Sequence, residues 1–232
     1  MALRLRGLLA VLFALALADA SSALTIDNFD EGVIAVVDDS TTPGATFGVN
    51  TGLDPSNTVG GNRLVSVVAS EIPLVGVPGT ATATSVPGPA GFGSFTSTVQ
   101  GQFSIFYDGN GDLTPDTNGG QLFLDLTNQD AFSVDLLNVN ATDAEFRVTL
   151  WDGDSLSNSL FQPATTGVHI IPFSSFSGID FDDIRAIRLN IAEVLTLASV
   201  SVNDFSAIPE PGTALLLGLG LAGLAARARS RR

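Results

Sequence analysis

The chain has 232 residues, 45% of them hydrophobic, with 24 acidic and 10 basic residues, one histidine and no cysteine, for a formal net charge of −14. Its two ends hold Asp19 and Glu210 among the acids and Arg4, Arg6, Arg227, Arg229, Arg231 and Arg232 among the bases, so residues 24–208 keep 22 acids against four arginines and no lysine. Such a body repels nucleic acid, has no disulfide, thiolate metal site or thiol nucleophile, and cannot build a histidine metal cluster from His169 alone.

The first segment, "MALRLRGLLAVLFALALADASSA", predicts a cleavable signal peptide and helix over residues 1–23. Arg4 and Arg6 form a positive start, Gly7–Ala18 an apolar stretch, and Ser21 and Ala23 the small residues a signal peptidase requires, with Ala18 and Ala20 as an alternative cut. The protein is therefore expected to be exported.

From residue 24 to 207 the pattern is alternation. "AFSVDLL" puts Phe132, Val134 and Leu136 on one face, "EFRVTLW" does the same with Phe146, Val148 and Leu150, and "AIRLNI" with Ile187, Leu189 and Ile191. "QLFLDL" aligns Leu122, Leu124 and Leu126. A period of two with one apolar face is the mark of half-buried strands, and the Gly-, Pro- and Asp-rich stretches between them mark turns. About ten such strands predict an all-β fold, a single β-sandwich of jelly-roll type. The Gly/Pro/Thr/Ala-rich stretch Leu74–Ser94 is expected to form edge strands with wide loops rather than a linker.

Several positions along this body are candidates for chemistry. In "DGNGDLTPD", Asp108, Asn110, Asp112, Thr114 and Asp116 offer oxygen at alternate positions, as a calcium loop does. Leu113 and Gly119 stand where an EF-hand-type loop has Gly and Glu, and the competing reading is a hairpin turn. Trp151 falls out of phase with Leu150 and Val148 and so points to the other face. Beside Asp152 and Asp154 it is a candidate sugar-stacking residue, with the filling of a second apolar layer as the alternative. Tyr107 follows the phase of Phe103 and Ile105 into the core. His169 is expected to be structural, since no Gly-x-Ser-x-Gly elbow accompanies it.

The chain closes on Pro209-Glu210-Pro211, the apolar Thr213–Ala226, and Arg227, Arg229, Arg231 and Arg232. As a helix those apolar residues span about 21 Å, short of a hydrocarbon core of about 30 Å, and the arginines favour a cytoplasmic end. Triplet, helix and basic tip in this order resemble the PEP-CTERM sorting signal of Gram-negative bacteria, over residues 208–232. The resemblance implies recognition of the triplet by an exosortase, transient anchoring in the inner membrane, and delivery to the cell surface or extracellular matrix. The segments "TIDNFDEG", "GGNRLVSV", "VHIIPFSSFSGIDFDDIRAIRLNI" and "ASVSVNDFSA" are similar to the jelly-roll, carbohydrate-binding-module-like domains found in front of such tails. This second resemblance implies neighbouring first and last strands. It also implies a structural Ca²⁺ where they meet, with Asp27, Asp30, Glu31 and Asp204 as candidate ligands; the competing reading is the ordinary surface acidity of an acidic chain.

Together these readings lead to an expectation of an exported, non-enzymatic binding or structural protein associated with exopolysaccharide. The competing expectations are a secreted glycan hydrolase working through two carboxylates and a purely structural surface protein.

Overall fold

The computed structural model describes residues 22–209 apart from 40–43, 70–79, 87–91, 98–99, 114–119, 141–142, 154 and 195–197. The signal-peptide helix, Glu210, Pro211, the apolar tail and its arginines lie outside the described residues. Ala23–Ile208 forms one compact unit.

Among the described residues fourteen strands follow in chain order: β1 (Leu24–Asp27), β2 (Ile34–Asp39), β3 (Thr46–Thr51), β4 (Asn62–Ala69), β5 (Thr80–Val86), β6 (Phe92–Ser97) and β7 (Gly101–Tyr107); then β8 (Ala131–Leu137), β9 (Glu145–Trp151), β10 (Leu156–Asn158), β11 (Gln162–Pro163), β12 (Gly167–Pro172), β13 (Ala186–Val194) and β14 (Ala198–Ile208). They make two seven-stranded antiparallel sheets. Sheet I runs β12-β8-β14-β6-β5-β2 with β1 also on β14, and sheet II runs β10-β9-β13-β7-β4-β3 with β11 also on β9. The fold is an all-β sandwich.

The alternation in the sequence explains the packing. Phe132, Val134 and Leu136 of β8, with Phe95 of β6 and Phe205 of β14, are all fully buried on the inner face of sheet I. They meet Phe146, Val148 and Leu150 of β9 and Ile187, Leu189 and Ile191 of β13, buried to the same degree. Phe95 and Phe103 stack across the layers at 5.6 Å. Each such side chain contributes about 1.5–3 kcal/mol on burial. This core replaces the disulfides that the sequence lacks.

First and last strands are neighbours: Leu24 pairs with Ala207 and Thr25 with Ser206. Two expectations need correction. β5 and β6, from the Gly/Pro-rich stretch, are interior strands of sheet I, and β2 takes the edge. "QLFLDL" is not a strand, because Phe123 turns to φ 49 and breaks the extended run. The segment keeps a single bridge, Leu124 to Ile184, and still buries Leu126 completely.

Candidate functional site

The carboxylate of the first strand goes inward. Asp27 is fully buried and grips Arg63 of β4 through two hydrogen bonds, Nε to Oδ2 at 2.5 Å and Nη2 to Oδ1 at 2.6 Å. The Tyr107 hydroxyl donates to Oδ2 at 2.9 Å, and the Phe29 amide and Thr58 hydroxyl donate to Oδ1. Arg63 also donates to Ser85 and lies 4.7 Å from the Phe29 ring centre. Burial lowers the Arg63 pKa, but hydrogen bonds and charge from Asp27 outweigh it, and the guanidinium ends above its ordinary value. Burial, then the Asp27 charge, pushes the Tyr107 hydroxyl well up. Both groups stay in the protonated form that the network requires. This cluster ties β1, β4, β5 and β7 together and leaves Asp27 no open lone pair for a metal.

The other carboxylates proposed for calcium are placed apart. Asp30 accepts from Asn28, and Glu31 accepts from the Asp54 amide and the Asn57 side chain, pinning the loop before β4. Asp204 lies on β14 and accepts from Ser206. Asp108 is 3% exposed, and its Oδ1 accepts from the Asn110 amide, closing a turn. Gly109 at φ 75 has no room for a Cβ, which would meet Gln121 backbone at 2.8 Å, so the "DGNG" stretch is shaped by that contact. Asp112 is exposed on this turn, and Asp116 lies outside the described residues. Among the described residues no three Asp, Glu or His side chains come together in a group able to hold a metal ion.

His169 sits edge-on to Phe146 at 4.9 Å, and its Nε2 donates to the Thr165 carbonyl at 2.7 Å. Asp152 braces a turn, its Oδ1 accepting from the Ser155 amide and Oδ2 from the Asp180 amide. Asp154 lies outside the described residues. Trp151 does point away from the core. It is 4% exposed, in a second cluster with Leu64, Phe106 and Ala186 on the outer face of sheet II. The Arg188 guanidinium lies 5.4 Å from its ring, so Trp151 is a floor beneath Arg188 rather than an open stacking surface.

That outer face is organised in rows across the strands. One row runs Phe47, Ser66, Ser104, Asn190, Arg147 through directly paired positions. The next runs Val49, Leu64, Phe106, Arg188, Thr149, Asn158. Asn190 donates to Ser104 at 2.8 Å, and Arg188 to Thr149, which in turn donates to Asn158 at 2.7 Å. Arg147 lies 4.4 Å from the ring of Phe161, which is 41% exposed. Burial, then the charge of Arg147, holds Arg188 below its ordinary pKa. The short floor residues are buried, while Phe47, Gln102, Asn158 and Phe161 stand exposed around them. The outer face of sheet I is different: Thr82, Thr84, Ser94, Thr96, Ser199 and Ser201 line its middle with hydroxyls, Asp135 lies beside them on β8, the exposed aliphatic Val37, Val168 and Ile170 stand on the edge strands β2 and β12, and none of its strands carries an arginine.

Alternation alone set Arg147 and Thr149 opposite Phe146, and Arg188 and Asn190 opposite Ile187. Their meeting on one face depends on the pairing of β9 with β13, which only the structure shows.

No curated protein matches the chain. Among solved structures it is similar to the family 11 carbohydrate-binding module of the cellulosomal cellulase Lic26A-Cel5E of Clostridium thermocellum, at 16% identity, covering 82% of this chain and 96% of that one, with a TM-score of 0.40. A family 11 module of the same organism, solved with a β-1,3-1,4-mixed-linked tetrasaccharide, is similar at 16% identity, 81% and 95% coverage and 0.40. A module specific for non-crystalline cellulose is similar at 11% identity, 54% and 79% coverage and 0.35. The family model that matches covers the other end of the problem: residues 207–232 carry the PEP-CTERM protein-sorting motif, the mark of an exported protein sorted by way of the membrane.

Proposed function

We propose that this is an exosortase-sorted protein of the cell surface or extracellular matrix whose sandwich binds polysaccharide, without catalysis, across the outer face of sheet II. The observation that carries the reading is the contrast between the two outer faces. The outer face of sheet I carries hydroxyls, carboxylate and a few aliphatic side chains at its edge strands, and its strands hold no arginine. Sheet II instead spends aromatic rings, arginine, asparagine and serine on an outward surface, the residue types enriched where proteins bind. A shallow face several strands wide suits an extended polymer better than a small molecule, which is taken into a concave pocket. A hydrolase would need two carboxyl groups facing each other across the bond to be cut. Hydrogen bonding and charge from Asp180 hold Asp182 above its ordinary pKa, but that pair lies exposed on one turn rather than across a cleft.

One preparation tests both parts. Protein recovered from the native host's surface is weighed intact and run through gels cast with neutral or acidic polysaccharide. The expected mass lacks Arg232, and a glycan gel retards the protein, with relief in Phe106→Ala/Asn190→Ala. A mature chain that still ends in Arg232, or unretarded migration in every gel, contradicts the reading.

A further inference from the structure

Residues 24–208 contain four arginines, and two of them are paired with carboxylates: Arg63 with Asp27 and Arg185 with Asp183. Among the described residues Arg147 and Arg188 are not. They are diagonal neighbours on the outer face, since Asn190 pairs with Arg147 and Arg188 with Thr149. The Nε of each is buried and has no hydrogen-bond partner. Thr149 supplies Arg188 with one neutral acceptor, and Arg147 lies over the Phe161 ring. A buried donor without an acceptor is unfavourable, and so is a second positive charge next to the first. Glu145 shares this face of β9 two positions from Arg147, yet forms no ion pair with either arginine among the described residues. Both guanidinium groups lie over aromatic rings, each with its Nε unfilled.

We propose that Arg147 and Arg188 form an anion subsite for the carboxylate of a uronic acid unit in a polysaccharide lying across sheet II. A planar carboxylate accepts two parallel hydrogen bonds from one guanidinium and neutralises both. The proposal rests on the binding-face reading above and adds the chemical class of the sugar. The surroundings favour a sugar over an acidic peptide. Ser104, Asn190 and Asn158 offer hydroxyl and amide groups for sugar hydroxyls, whereas an extended peptide adds to a free strand edge, and β9 and β13 are paired along both sides.

Trp151, the one tryptophan of the chain, lies under Arg188 and reports binding by its fluorescence. The full-length protein in neutral detergent and a chelator is titrated with a polyuronate, the same polymer after carboxyl reduction, and polyglutamate. The polyuronate is expected to bind, and carboxyl reduction to weaken it at least about tenfold, as loss of a charged hydrogen-bond partner does. Arg147→Gln and Arg188→Gln should each weaken it by roughly tenfold to a hundredfold with unchanged melting, while Arg185→Gln leaves it unaltered. Should a Gln variant fail to fold, Arg147→Lys and Arg188→Lys keep the charge, lose the fork, and are expected to weaken only the polyuronate. Equal binding of the intact and reduced polymers overturns the carboxylate subsite and leaves the binding face standing. Polyglutamate binding as tightly as polyuronate also overturns it. Binding of none of the three, with retardation in neutral-glycan gels, removes this inference alone; binding of none, and no retardation, removes both.

Discussion

Asp27 shows how far a single residue's role can depend on its fold. By sequence it was one acid among 22, grouped with Asp30, Glu31 and Asp204 as a calcium candidate. In the structure it is the centre of a buried network, 36 positions from Arg63 and 80 from Tyr107. No local pattern records such a partnership, because β1, β4 and β7 reach each other only through the sandwich. Removing one member leaves the other charge buried and unpaired. Asp27→Ala or Arg63→Ala is therefore expected to cost about 3–5 kcal/mol in urea unfolding. Asp27→Leu with Arg63→Met should cost less than the two single changes together, since no charge is then stranded. Single substitutions that cost under about 1 kcal/mol would mean that the pair does not hold the strands together. Trp151 was more legible: its phase along β9 correctly set it outside the core, but not beneath an arginine from β13.

At the scale of elements, strands with clean alternation were legible and their positions in the sheets were not. β8, β9 and β13 appear where Phe132, Phe146 and Ile187 begin their alternation. "QLFLDL" alternates as well, yet forms no strand, because a left-handed turn at Phe123 and a bridge to Ile184 use its backbone otherwise. β14 illustrates what register adds. A bulge between Val202 and Asp204 shifts its pairing with β8 and brings Asp204 opposite Asp135. Partial burial raises the Asp204 pKa; the hydrogen bond from Ser206 opposes this, and the charges of Asp135 and Asp27 add to it. A raised carboxyl favours the folded state fully only below the unfolded value, about 3.9, and that contribution is lost as pH rises through the folded value. Asp204→Asn should therefore raise the melting temperature at pH 7 and leave it unchanged near pH 3. A gain of the same size at both would show that its charge is not the cause.

Over the whole molecule, export is legible in the sorting motif at the end of the sequence, and the proposed binding face exists only in the assembly of its middle. The sorting motif occupies the last 26 residues, 207–232, and is read from order along the chain. The proposed binding face draws on β3, β4, β7, β9 and β13, and its row from Phe47 to Asn190 joins residues far apart in the chain, so it was not legible from sequence. The asymmetry between a face of hydroxyls and edge aliphatics without arginine on sheet I and an aromatic, arginine-bearing face on sheet II is a property of the sandwich as a unit. It makes a prediction about place that does not depend on which sugar is bound. Hydrogen exchange of the full-length protein, with and without a saturating polysaccharide from the host matrix, tests it most directly. Binding on the proposed face should slow exchange in β7, β9 and β13 and leave β5, β6 and β14 unchanged. Protection centred on sheet I, or spread evenly over both sheets, would contradict it.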